Sequence, residues 1–559
     1  MNRPTTTLFQ MASHTRGFVA AILFLGMLLT LGCGGGGGGS PTSSIPTTTV
    51  TGTDSLVSAG ATVQHSLVAG VNVFSLPTPG GVATFGLTVT NMTGSGSAAT
   101  VKITALGASI AASRGLPARP AAALAAAPSP TAASSRLPEG QALIDQQLRQ
   151  RNRVPAPAAA IRRNLVATTV DQAPTYADHR NEAVGDTVTL WIYARNTFGI
   201  GPAEYLQRQA VLRRLGKHCK IFVDPDEYNG LSAVTGAYAI SEAQLDQMMN
   251  DFDNIGWDLI VNGYGSPWDI DQDRMISLVF SPLVAKNGFA GFFDTKHYEQ
   301  VNADGTTNDK TNNRDMVAIW SPGYSATWID DKWLSAARET CIHEFQHLVS
   351  YSARAAKLDF PKFVTDDQME EVWLDEAMST AVEARFRIRR GDPAGEDRFN
   401  VYAANPSASS LTGFAWNLES YGHLGLFGLY LWEQGGDDAI RNIIQNTLRG
   451  TASVDQVFSS RGGLKGMYQD WGLALLAEGL RHKGVLDPST LPSRFRYVHD
   501  LALPLAPRDL PFGTSDESTV TGQGTSFTIM SSPAGYSQSS YGFAVEGLEG
   551  VTVSVIRLP

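Results

Sequence analysis

Apolar positions along the chain fall into three successive patterns. From residue 55 to 107, short Val, Leu, Phe and Thr runs alternate with polar positions and are broken by Gly and Pro, as in Val71-Asn72-Val73-Phe74 and Phe85-Gly86-Leu87-Thr88-Val89. A period of two between turn residues predicts a small β module. Residues 108–165 are rich in Ala, Pro and Ser and read as a linker or propeptide-like segment, with an amphipathic stretch from Pro138 to Arg153. Globular α/β text starts near Val184. Four apolar, β-rich runs follow, Thr187–Ala194, Cys219–Val223, Ile276–Ser281 and Met316–Trp320. Two helices are expected between them, Ala203–Leu215 and Ser241–Ile255, the second opened by Ser241 with Gln244 three places on, a capping-box pattern.

Beyond residue 330 the period lengthens and helices dominate: 331–356, 366–390, 422–433, 437–448 and 464–480. The tail, 510–559, returns to β alternation in Phe527-Thr528-Ile529 and Val551-Thr552-Val553-Ser554-Val555, predicting a second β module. No fixed-period repeat is present. The expected class is α+β: one domain over residues 184–500, with a mixed sheet followed by a mostly helical half, and small β modules at both ends.

The first residues carry a different pattern. Arg3 and Arg16 precede an apolar run from Gly17 to Leu31 that ends at Gly32-Cys33. A basic head, an apolar core and a small residue at the cut mark residues 1–32 as a secretory signal. The run is short for a membrane span, and no later stretch reaches about 18 apolar residues. Leu31-Gly32-Cys33 resembles a bacterial lipobox, with Thr30 where leucine is preferred, so Cys33 is the expected lipidation site. Residues 33–54, Gly-rich and then rich in Ser, Thr and Pro, read as a tether. The expectation is an exported protein in a bacterial cell envelope, as an outer-membrane lipoprotein touching the membrane only through its lipid. The alternative is simple secretion. Cys219 and Cys341 are the other cysteines. An oxidising compartment would let them pair, and two buried thiols fit equally well.

Composition narrows the partners. With 43 Lys and Arg against 53 Asp and Glu, the 559-residue chain has a formal net charge of −10. It lacks the basic stripe that a duplex-binding surface needs, which excludes nucleic acid as a partner.

Chemistry concentrates in His343-Glu344-Phe345-Gln346-His347. The flanks contain neither Pro nor Gly and support a helix. On a helix the two histidines project from one face, one turn apart, and can share a Zn²⁺ ion. Glu344 stands beside that face and can reach a zinc-bound water as general base. A third ligand is required. Ser350 and Ala353 occupy the places where a metzincin would have Gly and His. That leaves a carboxylate from a second helix. Glu376, 29 residues past His347 in Trp373-Leu374-Asp375-Glu376-Ala377-Met378, is the first choice. Glu383, on the same face, is the alternative ligand or a partner for a histidine. A weaker acidic group, Asp269, Asp271 and Asp273, begins like a calcium loop, but Arg274 and Phe280 stand where such loops have Gly and Glu. A turn is the preferred reading and a calcium site the alternative.

The HEFQH-L helix, the L-D-E-A-M-S segment ending at Glu383, and Tyr421-Gly422 through Leu429-Tyr430-Leu431 to Gln434-Gly435-Gly436 together resemble the gluzincin metallopeptidases, most closely the hyicolysin-like family. The resemblance spans residues 184–480, with Ala377 where Gly is commoner. It implies a zincin-like catalytic domain holding one zinc ion, protein or peptide substrates, and an oxyanion donor from Tyr421 or His423. The expected activity is endopeptidase. A gluzincin aminopeptidase is the first alternative, although no G-x-M-E-N-type segment lies upstream of His343. A surface adhesion protein with a non-catalytic core is the second.

Overall fold

The computed structural model describes most of residues 47–107 and 178–558; residues 195–203, 299–306, 323–330, 358–368, 393–396 and 533–537 and a few single positions lie outside the description. The signal, Cys33, most of the tether, the 108–165 segment and the 138–153 stretch also lie outside the described residues. No described helix is long and apolar enough to cross a membrane.

The N-terminal strands are β1 (Thr47–Thr49), β2 (Thr62–Ser66), β3 (Gly70–Pro77), β4 (Thr84–Asn91) and β5 (Ala98–Gly107). A central group follows: β6 (Thr187–Ala194), β7 (Glu204–Leu215), β8 (Cys219–Val223), helices α1 (Glu242–Asp251) and α2 (Trp257–Gly263), β9 (Ile276–Ser281), α3 (Pro282–Lys286), β10 (Gly291–Phe293) and β11 (Met316–Trp320). Then come α4 (Asp331–Lys357), α5 (Val372–Arg390), α6 (Asp397–Ala404), α7 (Leu418–Gln445), α8 (Gly450–Val457) and α9 (Gly463–His482). The chain ends in β12 (Arg508–Leu510), β13 (Ser515–Thr521), β14 (Thr525–Ser531), β15 (Ser540–Gly547) and β16 (Val551–Arg557). The fold is α+β.

The central sheet has the order β10-β11-β9-β8-β7-β6. β8, β9 and β11 run parallel, while β10, β7 and β6 pair antiparallel. Every residue of β8, β9 and β11 is buried, as expected of strands covered on both faces. α4 crosses this sheet beside β10 and β11, and Gly291 leaves room for Thr340. α1 begins with the capping box read from the sequence: Ser241 Oγ accepts from Gln244 N, and Gln244 Oε1 accepts from Ser241 N. Between α1 and α2, Phe252–Gly256 forms a π turn whose Gly256 receives the Ile342 side chain of α4.

Two expectations need correction. The segment expected as a helix over 203–215 is strand β7. Ala210 and Leu212 face inward, Gln209 faces outward, and Arg208 is buried in a pair with Asp224 at 2.6 Å. Pairing with β6 and β8 on both sides outweighs the helix propensity of Leu, Gln and Arg. The helices expected at 422–433 and 437–448 are both present: α7 is two helices that meet at a kink at Gly436, where φ is +71°. The two end modules are one structure. One sheet is ordered β1-β3-β15-β5-β13 and the other β12-β14-β4-β16-β2, so strands separated by more than 400 residues alternate in both. Phe74, Leu87, Val101, Phe543 and Val553 fill the space between the sheets. α9 packs on the outer face of the second sheet. Leu476 meets Gly86 and Ile556, and Gln469 Nε2 donates to Thr552 Oγ1 at 2.7 Å.

Cys219 and Cys341 are both buried free thiols, and Cys341 Sγ lies 3.9 Å from Met248 Sδ.

Candidate metal centre

α4 runs unbroken past His343, Glu344 and His347, so the two imidazoles share a face with ring centroids 4.7 Å apart. Phe345 points the opposite way and stacks on Trp257 at 5.7 Å, which fixes the rotation of α4 about its axis. α5 lies across the histidine face. Glu376 Oε2 stands 3.4 Å from His343 Nε2, and its Oε1 3.8 Å from His347 Nε2. One donor atom from each residue lies within 4.8 Å of the other two. A tetrahedral ion bonded at about 2.0–2.1 Å holds its donors roughly 3.4 Å apart, so the set fits a single cation. His343, His347 and Glu376 therefore form a group able to hold a metal ion.

The outer nitrogens also face carboxylates. His343 Nδ1 lies 3.1 Å from Glu383 Oε1, and His347 Nδ1 lies 3.2 Å from Asp375 Oδ2. These carboxylates turn both Nε2 atoms toward Glu376 and raise their basicity as ligands. Glu383, one of whose expected roles was ligand, sits as the partner of His343. It is itself paired with Arg398 of α6. Glu344 is buried, and its Oε2 accepts from Phe293 N of β10 at 2.9 Å.

Four buried carboxylates, Glu344, Asp375, Glu376 and Glu383, thus meet two imidazoles and one guanidinium. Burial works against protonating His343 and His347, yet the Glu383, Glu376 and Asp375 charges outweigh it and raise both. Burial pushes Glu344 up. Burial also opposes ionisation of Glu383, but Arg398 and His343 hold it below the usual range. With neutral imidazoles the site carries an excess of negative charge in a dry interior, and a divalent cation offsets that excess.

A small-residue face explains how α5 is held. Any Cβ on Gly422, Gly425 or Gly428 of α7 would collide with the Arg398 backbone, the Thr380 side chain or the Ala377 carbonyl. The Gly-x-x-Gly-x-x-Gly spacing places all three on one side of α7 and lets it approach the helix that carries Glu376. Asp375, Arg398 and the Phe293 amide were not singled out from the sequence. The glycine spacing was a signal for the packing, whereas Arg398 and Phe293 arrive only through tertiary contacts.

The two candidates on α7 separate. Tyr421 is buried, with its ring edge-on to Phe414 at 5.0 Å and the Arg398 guanidinium 5.9 Å from its centroid, so it adjoins the Glu383 arm of the site. His423 turns away. It pairs with Ser409 Oγ at 3.1 Å and Tyr468 Oη at 3.0 Å, stacked on Tyr402 at 4.6 Å and Trp471 at 5.3 Å. Burial drives its pKa down to about 3. An oxyanion role for His423 is therefore dropped, because both ring nitrogens serve the aromatic core between α7 and α9. Asp269, Asp271 and Asp273 converge in a separate loop, each with an oxygen within 4.8 Å of the others.

No protein-family model matches the chain. No curated protein matches it either.

Proposed function

We propose that the chain is a zinc-dependent endopeptidase of the gluzincin type, similar to the hyicolysin-like enzymes. The convergence of His343 Nε2, His347 Nε2 and the Glu376 carboxylate, with Glu344 beside them on the same helix, carries this reading. The donor set favours zinc: two imidazoles and one carboxylate are borderline ligands, and three protein ligands leave a position open for chemistry. Bound zinc would act as a Lewis acid toward water and the scissile carbonyl.

Glu344 accepts the proton released by the attacking water and returns it to the departing amine. Two features suit it to that work. The Phe293 amide donates to one carboxylate oxygen, Oε2, and so fixes the carboxylate in place. Burial raises its proton affinity above that of an ordinary carboxylate. Asp375 and Glu383 keep the imidazoles oriented through the cycle. Tyr421 is the oxyanion donor in this reading, approaching from the Arg398 side. Export with a lipid on Cys33 belongs to the same proposal.

The test is caseinolysis by the purified chain, with fragments located by mass spectrometry. Internal cuts that vanish with chelator and return with zinc support the proposal. Glu344→Gln should retain zinc and lose activity by about 10²–10⁴-fold. Unchanged cleavage by Glu344→Gln would refute the role of that residue, and one-residue trimming would indicate an aminopeptidase.

A further inference from the structure

The loop between α2 and β9 brings Asp269, Asp271 and Asp273 together, remote in sequence from the histidine centre. Asp271 is fully buried, and neither of its carboxylate oxygens has a hydrogen-bond partner. One oxygen points among those of its two neighbours, within 4.8 Å. A buried carboxylate without donors is costly unless it takes a proton or a cation.

The surroundings do not supply enough positive charge. Lys220 Nζ lies 2.7 Å from Asp273 Oδ2, but it also pairs with Glu182 at 2.9 Å. Arg314 binds Glu182 as well. Asp315 adds a fourth aspartate, its oxygens accepting from Ile270 N and Tyr298 Oη. Three cations, Lys220, Arg314 and the Arg180 beside Asp269, therefore face six carboxylates, Glu182 and Asp178 included. Burial, with the Asp273 and Asp315 charges, pushes Asp271 up to about 9.

We propose that Asp269, Asp271 and Asp273 bind a calcium ion. The donors are oxygens alone, which selects a hard cation and disfavours zinc. Their spacing at alternate positions matches the opening of a calcium loop. Such loops need a left-handed residue at the sixth place, usually glycine. Arg274 occupies that place and takes φ +61° all the same. The twelfth place, Phe280, is in β9, so no bidentate glutamate closes the shell. Asp269 is half-buried, which leaves a side of the site open to water ligands. The ion would pin the turn that delivers β9 into the central sheet. This role is structural and independent of the zinc proposal.

The test uses the full-length chain loaded with zinc, passed over a calcium-selective chelating resin and then titrated with CaCl₂. Equilibrium dialysis with radiocalcium should give one ion per chain, and saturation should raise Tm by roughly 3 °C or more. Asp271→Asn keeps the shape and removes the unpaired charge. It should weaken calcium binding at least tenfold, retain its zinc and fold without calcium. No calcium-dependent shift in the wild-type chain overturns the proposal. So does a shift that survives Asp271→Asn. A wild-type chain that ignores calcium while Asp271→Asn is simply more stable would mean that Asp271 carries a proton instead. Zinc content, read in the same samples, separates this outcome from failure of the peptidase reading.

Discussion

His423 shows how a side chain with catalytic credentials is consumed by the core. Both ring nitrogens are hydrogen-bonded and the buried ring lies against Tyr402 and Trp471, so its charged form has no place to be solvated. The folded pKa, about 3, lies below the ordinary value of 6.5. Between those values the unfolded chain binds a proton that the folded chain refuses. The neutral ring's stability is therefore complete above about pH 6.5 and is lost as pH falls toward 3. His423→Phe keeps the stacking and removes the titration. It should be less stable than wild type at pH 7, with the gap closing by up to about 1.4 kcal/mol per pH unit on acidification from pH 6 to pH 4. Chemical denaturation at several pH values measures this, and a gap constant with pH would contradict it. At the candidate metal centre the pairing of His343 with His347 was legible because four residues of spacing means one helical turn. Glu376 was legible from its apolar neighbours. Arg398 was not, because its importance comes from reaching Glu383 across a helix boundary.

Elements were readable wherever burial was uniform. β8, β9 and β11 occupy the runs expected of them, since strands buried in a covered sheet are continuously apolar. β7 was misread because Arg208 is buried by an ion pair rather than by its own hydrophobicity, so the alternation is hidden. β10 has only three residues, too few for a period, and yet it supplies the amide that anchors Glu344. α7 works through its glycines. In an ordinary helix Gly→Ala stabilises by about 1 kcal/mol. At Gly428 the added methyl meets the Ala377 carbonyl, a backbone group that cannot rotate away. Gly428→Ala should therefore destabilise, by roughly 1–3 kcal/mol, and weaken zinc retention by shifting α5. A rise in Tm for this variant would show that the two helices are not in close contact.

At the scale of the whole molecule, strands from the two ends of the chain share both sheets. Local alternation identifies each strand but carries no record of its neighbour, so two modules were expected where one sandwich stands. In the first sheet β15 lies between β3 and β5, and in the second β16 lies between β2 and β4. Removing residues 508–559 takes away both central partners and uncovers the face on which α9 rests. The N-terminal strands should then lose protection together. Limited proteolysis of the truncated chain is expected to cut within residues 55–107, and persistent protection there would contradict the shared sandwich.

The proposed reaction depends on one cation gripped by three side chains from two helices. Zinc analysis of the purified chain, wild type beside Glu376→Ala, tests this most directly. The expected result is one zinc per wild-type chain and, after dialysis against a weak chelator, little or none in the variant, with folding preserved. Equal zinc in both proteins, or none in either, would contradict it.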